Sequence, residues 1–166
     1  MLLRTKLAND LPLIMGDRIQ LQQVMLNLII NSIEAMSAVS EGTRELWVSL
    51  EKVAAAPGES EQDGLGLNNF ASADTGDLEV ERGTSNAKRR MPNACILVSV
   101  ADSGPGLDLN NVDCLFDAFY TTKAQGLGMG LSISRSIIEA HGGRLWARAN
   151  VPKGALFQFT LPIAND

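Results

Sequence analysis

A stripe of amides is the first feature of this sequence that can do chemistry. Between Ile19 and Met36 most residues are apolar, and Gln20, Gln23, Asn27, Asn31 and Glu34 stand out against them. At ~100° per residue in a helix, these five fall within about 40° of one line. An ordinary surface helix leaves roughly half its circumference polar, whereas this stripe is about 80–100° wide, bordered by Val24 and Ile30. Its narrowness points to the wall of a pocket; a mostly buried helix with one wet edge is the alternative. Amides suit a metal–phosphate site. Asparagine offers Mg2+ a neutral carbonyl oxygen without adding charge repulsion against the phosphates.

Two glycine-rich loops carry the other candidate groups. The first is Asp102-Ser103-Gly104-Pro105-Gly106, directly after the apolar run Cys95–Ala101. It places one carboxylate at a strand end beside backbone with little side-chain bulk. A carboxylate buried there must accept hydrogen bonds, and the exocyclic amine of a purine is one suitable donor. The second loop, Gly126-Leu127-Gly128-Met129-Gly130-Leu131, lets backbone approach a ligand and leads into a helix. Exposed N–H groups and the helix dipole make such a start an anion site. The spacing matches neither a P-loop nor a dinucleotide-binding fingerprint. Each loop alone is a common turn; the order of amide stripe, D-x-G-x-G and G-x-G-x-G is what narrows the chemistry.

The elements that must position these groups can be read from periodicity. Residues 1–16 read as extended, and Asp17 stands where a helix N-cap belongs, opening a helix that runs to about Met36. Strands are expected over Leu46–Val53 and Cys95–Ala101, and a second helix is opened by the loop at 126–131 and closed by His141-Gly142-Gly143. Strands over Arg144–Asn150 and Ala155–Leu161 flank a hairpin turn at Pro152-Lys153-Gly154, with Phe157, Phe159 and Leu161 on the core side. This order predicts an α/β (α+β) two-layer sandwich, with helices on one face of a mixed, mostly antiparallel sheet. The 166 residues form one domain interrupted by a polar stretch over 54–93, expected to be a flexible surface insertion. That stretch holds seven acidic and four basic side chains, more than half of the net charge of -5. The acidity excludes a broad basic face for nucleic acid, and no apolar run approaches the ~20 residues of a membrane span. Cys95 and Cys114 lack metal spacing and read as structural thiols in a reducing, cytoplasmic setting.

Taken together, the motifs resemble the ATP-binding catalytic domain of two-component sensor histidine kinases, within the wider GHKL superfamily. Asp17–Met36 (DRIQLQQVMLNLIINSIEAM) is similar to the N-box, DSGPG at 102–106 to the first glycine box, FDAFYTTK at 116–123 to the F-box, and GLGMGL at 126–131 to the second glycine box. The F-Y-T-T-K and G-L-G-M-G-L wording is similar to the nitrogen- and oxygen-responsive kinases rather than to the osmosensor type. The resemblance implies a Bergerat ATP-binding fold and the cofactors ATP and Mg2+. It implies that Asn31 ligates the metal, that Asn27 supports the pocket, and that Asp102 accepts from the adenine amine with Gly104 and Gly106 leaving room for the base. Phe116–Lys123 and the residues up to Gly126 become a lid, Thr122 and Lys123 join the binding set with Lys123 reaching the γ-phosphate, and Gly126, Leu127, Gly128, Met129, Gly130 and Leu131 hold the phosphates through backbone amides.

Three departures from the family pattern shape what is expected. Hydrolysing relatives carry Glu four residues before the metal Asn; here Asn27 stands there, and an amide is no general base. Many histidine kinases carry a basic residue three positions after the metal Asn; here it is Glu34. No histidine in an H-E or H-D context is present, and His141 resembles only the helix-ending histidine of an HGG motif. The resemblance therefore implies no catalytic acceptor within this sequence. It expects transfer to a histidine on a dimerisation domain, in the same parent chain or in trans, and a downstream response regulator, with no nucleic-acid or membrane contact. The alternatives are a nucleotide-binding regulatory or docking module, and a stand-alone serine kinase or ATPase.

Overall fold

The computed structural model describes residues 1–37, 39, 42–54, 94–108, 113–121 and 126–164. The expected insertion, apart from Ala54, lies outside the described residues, as do Thr122 and Lys123. Among the described residues, five strands and two helices follow the expected order: β1 (Leu2–Leu7), α1 (Arg18–Ser37), β2 (Glu45–Val53), β3 (Cys95–Asp102), α2 (Gly130–Ala140), β4 (Arg144–Ala149) and β5 (Ala155–Pro162). A short 3-10 turn at Asp113–Phe116 lies between β3 and α2, and α2 starts at Gly130 rather than at the first glycine of its loop.

The sheet runs β1-β2-β3-β5-β4. Only β1 and β2 pair in parallel, and the three other pairings are antiparallel. Period-two alternation on β2, β3, β4 and β5 points Leu46, Ile96, Val98, Val100, Leu145, Phe157, Phe159 and Leu161 to one face. There they meet Val24, Leu28 and Met36 of α1 and Ile138 of α2. Full burial of such side chains stabilises by about 1.5–3 kcal/mol each, which makes this interface the main source of fold stability.

Among the described residues, the sheet covers one side of α1. Val24 is fully buried, whereas Ile30 is 48% and Leu26 58% exposed, so the two borders of the amide stripe face different surroundings. The stripe does run along a boundary, with Asn27 and Asn31 half-buried and Gln20, Gln23 and Glu34 exposed. Among the described residues, no helix is long and apolar enough to cross a membrane. Both cysteines are free, and burial pushes the Cys95 thiol above its ordinary value, which makes it a poor nucleophile.

The start of α1 is tied to the end of α2. Asp17 caps α1, its Oδ1 accepting from the N–H groups of Ile19 (2.8 Å) and Gln20 (3.1 Å). The backbone N–H of Asp17 donates to His141 Nε2 at 2.9 Å, and His141 Nδ1 lies 2.7 Å from the carbonyl of Ile137. A carbonyl only accepts, so the proton sits on Nδ1 and Nε2 is the acceptor. His141 thus closes α2 and pins the start of α1 in one neutral tautomer. His141→Ala removes both bonds and is expected to lower stability by about 1–2 kcal/mol, read from urea unfolding midpoints. An unchanged midpoint would show that the clamp carries no net stability.

Candidate functional site

The chemistry is built around the end of β3. Asp102 is 1% exposed, and its register opposite Leu46 turns the carboxylate toward the helical layer. Oδ1 accepts from the N–H groups of Gly104 (2.8 Å) and Ala155 (3.2 Å). Oδ2 is buried and has no hydrogen-bond partner among the described residues. A buried carboxylate oxygen left open costs free energy until a donor fills it, so it marks the place where a ligand N–H belongs. The backbone behind it is fixed as well: Asn150 Nδ2 donates to the Asp102 carbonyl at 2.9 Å, and Gly154 of the β4–β5 hairpin abuts the same carbonyl. Gly106 packs against Gly154 in turn, since a Cβ on Gly106 would lie 3.2 Å from the Gly154 carbonyl oxygen.

Helix α1 is the wall shared by both loops. A Cβ on Gly104 would lie 3.4 Å from Ala35 Cβ, so the first loop meets the helix at Ala35. Asn27 Nδ2 donates to Ser134 Oγ (3.2 Å) and to the Gly130 carbonyl (3.4 Å), so the second loop meets it at Asn27. Asn31 stands midway, one helical turn or about 6 Å along the axis from each contact. The order along α1 is therefore carboxylate loop, amide, helix N-terminus. A ligand with a hydrogen-bonding ring at one end and an anion at the other fits that order.

The N-terminus of α2 carries no side-chain cap. Met129 is its N-cap and makes no side-chain capping bond, so the first N–H groups are left for water or a ligand. Gly128 holds φ +67, and a Cβ there would come within 2.5 Å of the Phe119 carbonyl carbon and 2.7 Å of the Tyr120 carbonyl oxygen. Phe119 N donates to the Gly128 carbonyl at 3.0 Å. The F-box and the second glycine loop thus meet backbone to backbone, which requires glycine at 128. Leu127 is 74% exposed, Gly126 is exposed, and Met129, Gly130 and Leu131 are half-buried.

The geometry brings together Asn27, Asn31, Asp102, Gly104, Gly106, Gly128 and Gly130. Glu34 is exposed on the rim of α1. Among the described residues no cluster of three or more acidic, His or Cys side chains could hold a metal. A single amide beside an open helix N-terminus suits an ion that takes most of its ligands from phosphate and water, as Mg2+ does. A separate groove of about 720 Å3, lined by Trp47, Ser99 and Gln158, opens on the opposite sheet face and meets Asp102 only from behind. Sequence reasoning passed over Asn150, Gly154 and Ser32. The first two act on Asp102 from about fifty positions away, beyond any local pattern; Ser32 interrupts the apolar face of α1, and that interruption was its signal.

Comparison with known proteins bears on this geometry. Residues 16–165 match the family model described as histidine kinase-, DNA gyrase B-, and HSP90-like ATPase. The chain is 37% identical over 157 residues to the sensor histidine kinase TmoS of Ectopseudomonas mendocina, covering 95% of this chain and 12% of that protein. It is 37% identical over 164 residues to the sensor protein FixL of Bradyrhizobium diazoefficiens, covering 99% of this chain and 25% of that one. The chain therefore spans a quarter or less of the length of these two relatives. Among solved structures, the catalytic domain of histidine kinase ThkA superposes with a TM-score of 0.62 at 27% identity, covering 97% of this chain and 78% of that one.

Proposed function

We infer the function from one premise: this chain belongs to the histidine kinase-, DNA gyrase B- and HSP90-like ATPase family. We propose that it is the ATP-binding catalytic unit of a two-component sensor kinase. It holds Mg-ATP and presents the γ-phosphoryl group to a histidine on a dimerisation domain, from which a response regulator is served. The carrying observation is the open Oδ2 of Asp102, a buried acceptor at one end of a wall whose other end is an uncapped helix N-terminus.

The residues divide the work by position. Asp102 accepts from the exocyclic amine of the base, and Gly104 keeps side-chain bulk from between that carboxylate and Ala35. The N–H groups at the start of α2 hold phosphate oxygens, and Asn31, between them, supplies a neutral oxygen to the ion. Bound Mg2+ neutralises charge on the phosphates during an in-line transfer, a reaction that depends mainly on positioning and electrostatics. Thr122 and Lys123 belong to the proposed lid by motif alone.

Asn27 favours transfer over hydrolysis. Its amide nitrogen donates to Ser134 and Gly130, so the position where hydrolysing relatives place a carboxylate here holds two helices together. Labelled ATP, Mg2+ and a separately supplied phosphoacceptor hairpin should give acid-labile label on the hairpin, and Asn31→Ala should cut that label by about 100-fold or more. Steady phosphate release without the hairpin would instead identify an ATPase.

A further inference from the structure

We propose that the outer face of the sheet, turned away from both helices, is the docking surface for an acidic stretch of this same chain, residues 55–81. That stretch lies outside the described residues. The proposal goes beyond the nucleotide site and does not depend on it.

Alternation sends Leu46, Ile96 and Phe157 to the helices, so the residues between them on each strand face the other way. Strand register sets these in rows across the sheet. One row is Arg4, Trp47, Ala101, Leu156 and Arg148; the next is Lys6, Ser49, Ser99, Gln158 and Trp146. In the second row Trp146 Nε1 donates to Gln158 Oε1 (3.2 Å), and Gln158 Nε2 donates to Ser99 Oγ (3.0 Å). These polar groups satisfy one another and form a floor. In the first row the Trp47 ring is 47% exposed, with the Arg4 guanidinium 4.8 Å from its centre. The groove of about 720 Å3 over them suits an occupant that brings apolar contact and negative charge.

Charge selects that occupant. Arg4, Lys6, Arg144, Arg148 and Lys153 stand on this face or at its rim, against Glu45 and Glu51. The contact between Arg4 and Glu45, at 3.7 Å, is a surface pair that neutralises little. Residues 55–81 hold Glu59, Glu61, Asp63, Asp74, Asp77, Glu79 and Glu81 and no Lys or Arg. Leu65, Leu67 and Phe70 lie between the two acidic groups. An apolar centre flanked by carboxylates complements an aromatic groove flanked by cations.

The stretch is also within reach. β2 ends at Val53 and β3 begins at Cys95, and these two residues are register partners, so the chain leaves and returns at one end of the face. Near that end Leu97 and Thr160, paired neighbours on the outer side, are 5% and 2% exposed. An antiparallel sheet with helices on one side ordinarily wets its other face, so their burial points to cover. Five strands are about 19 Å across and ~27 extended residues reach about 90 Å, enough to cross the face and return. The tether raises the local concentration of the stretch to the millimolar range.

Trp47 and Trp146 are the two tryptophans of the sequence and both lie on this face, so tryptophan fluorescence reports on it selectively. Acrylamide quenching in low salt compares the unaltered chain with a variant in which the seven carboxylates of 59–81 become amides (Glu59→Gln, Asp63→Asn and their counterparts). The variant should quench about twofold more strongly, and ~0.5 M NaCl should bring the unaltered chain to the same level while leaving the variant unchanged. Arg144→Gln combined with Arg148→Gln should act like the variant, from the other side of the contact. If a substituted chain fails to fold, the salt titration of the unaltered chain decides. Equal quenching of chain and variant, or no response to salt, overturns the proposal. Protection that grows with protein concentration also overturns it and assigns the face to a second copy. Tryptophans freely quenched in the unaltered chain at every salt concentration overturn it too, and leave the face to a separate acidic partner.

Discussion

Asp102→Asn is expected to weaken binding of a non-hydrolysable ATP analogue by about 100-fold or more while leaving the nucleotide-free fold at least as stable. The substitution is almost isosteric. The remaining amide oxygen can keep the Oδ1 role, accepting from Gly104 and Ala155, so the corner between β3 and β5 stays tied. What changes is the second position. Oδ2 is a buried acceptor with no hydrogen-bond partner among the described residues, and an amide nitrogen in its place is a donor aimed at another donor. The base loses a charge-assisted hydrogen bond and gains a repulsion. The folded protein meanwhile no longer buries an incompletely paired carboxylate, which removes a desolvation cost. Calorimetry for affinity and thermal melting for stability separate these effects. Unchanged affinity would remove Asp102 from the site, and a large drop in melting temperature would reassign it to the fold.

How much of this was legible beforehand follows from the range of each interaction. The α1 helix, its Asp17 cap and the Phe157-Phe159-Leu161 face are local patterns, and the structure follows them closely. Asp102 and the two glycine loops were legible as motifs because the family arrangement places them in a fixed order. The surroundings of Leu26 and Ile30 were not, because helical periodicity shows that a face is apolar without showing whether a second layer covers it. The role of His141 was half legible. Its place as a helix end follows from the two glycines after it, but its bond to Asp17 spans 124 positions. Ser32 interrupts the apolar face of α1, but that it makes no back-bond, unlike Ser132 and Ser136 of α2, is visible only in the structure.

Gly154 is where fold and site are least separable, and Gly154→Ala is expected to be among the most damaging single substitutions in the chain. Gly154 is buried with φ +115, and an added Cβ would fall 1.8 Å from the Asp102 carbonyl oxygen and 2.7 Å from its carbon. Nothing at that contact is a flexible side-chain end; both partners are backbone. Relief therefore requires the hairpin to move off β3. Doing so disturbs both the Asn150 bond to the Asp102 carbonyl and the Ala155 bond to its carboxylate. A loss above about 4 kcal/mol, exceptional for a single substitution, is expected where a backbone clash adds to a left-handed conformation that alanine resists. Gly42 supplies the control, since its φ is +99 but a Cβ there would meet nothing within 4 Å. Gly42→Ala should therefore cost only about 1 kcal/mol, the conformational part alone. Chemical denaturation of both variants, with nucleotide-analogue affinity measured on whatever remains folded, tests the distinction. If Gly154→Ala costs no more than Gly42→Ala, the hairpin does not press on Asp102. If it costs far more and any folded remainder binds nucleotide poorly, the β4–β5 turn is what holds the base-reading carboxylate in place.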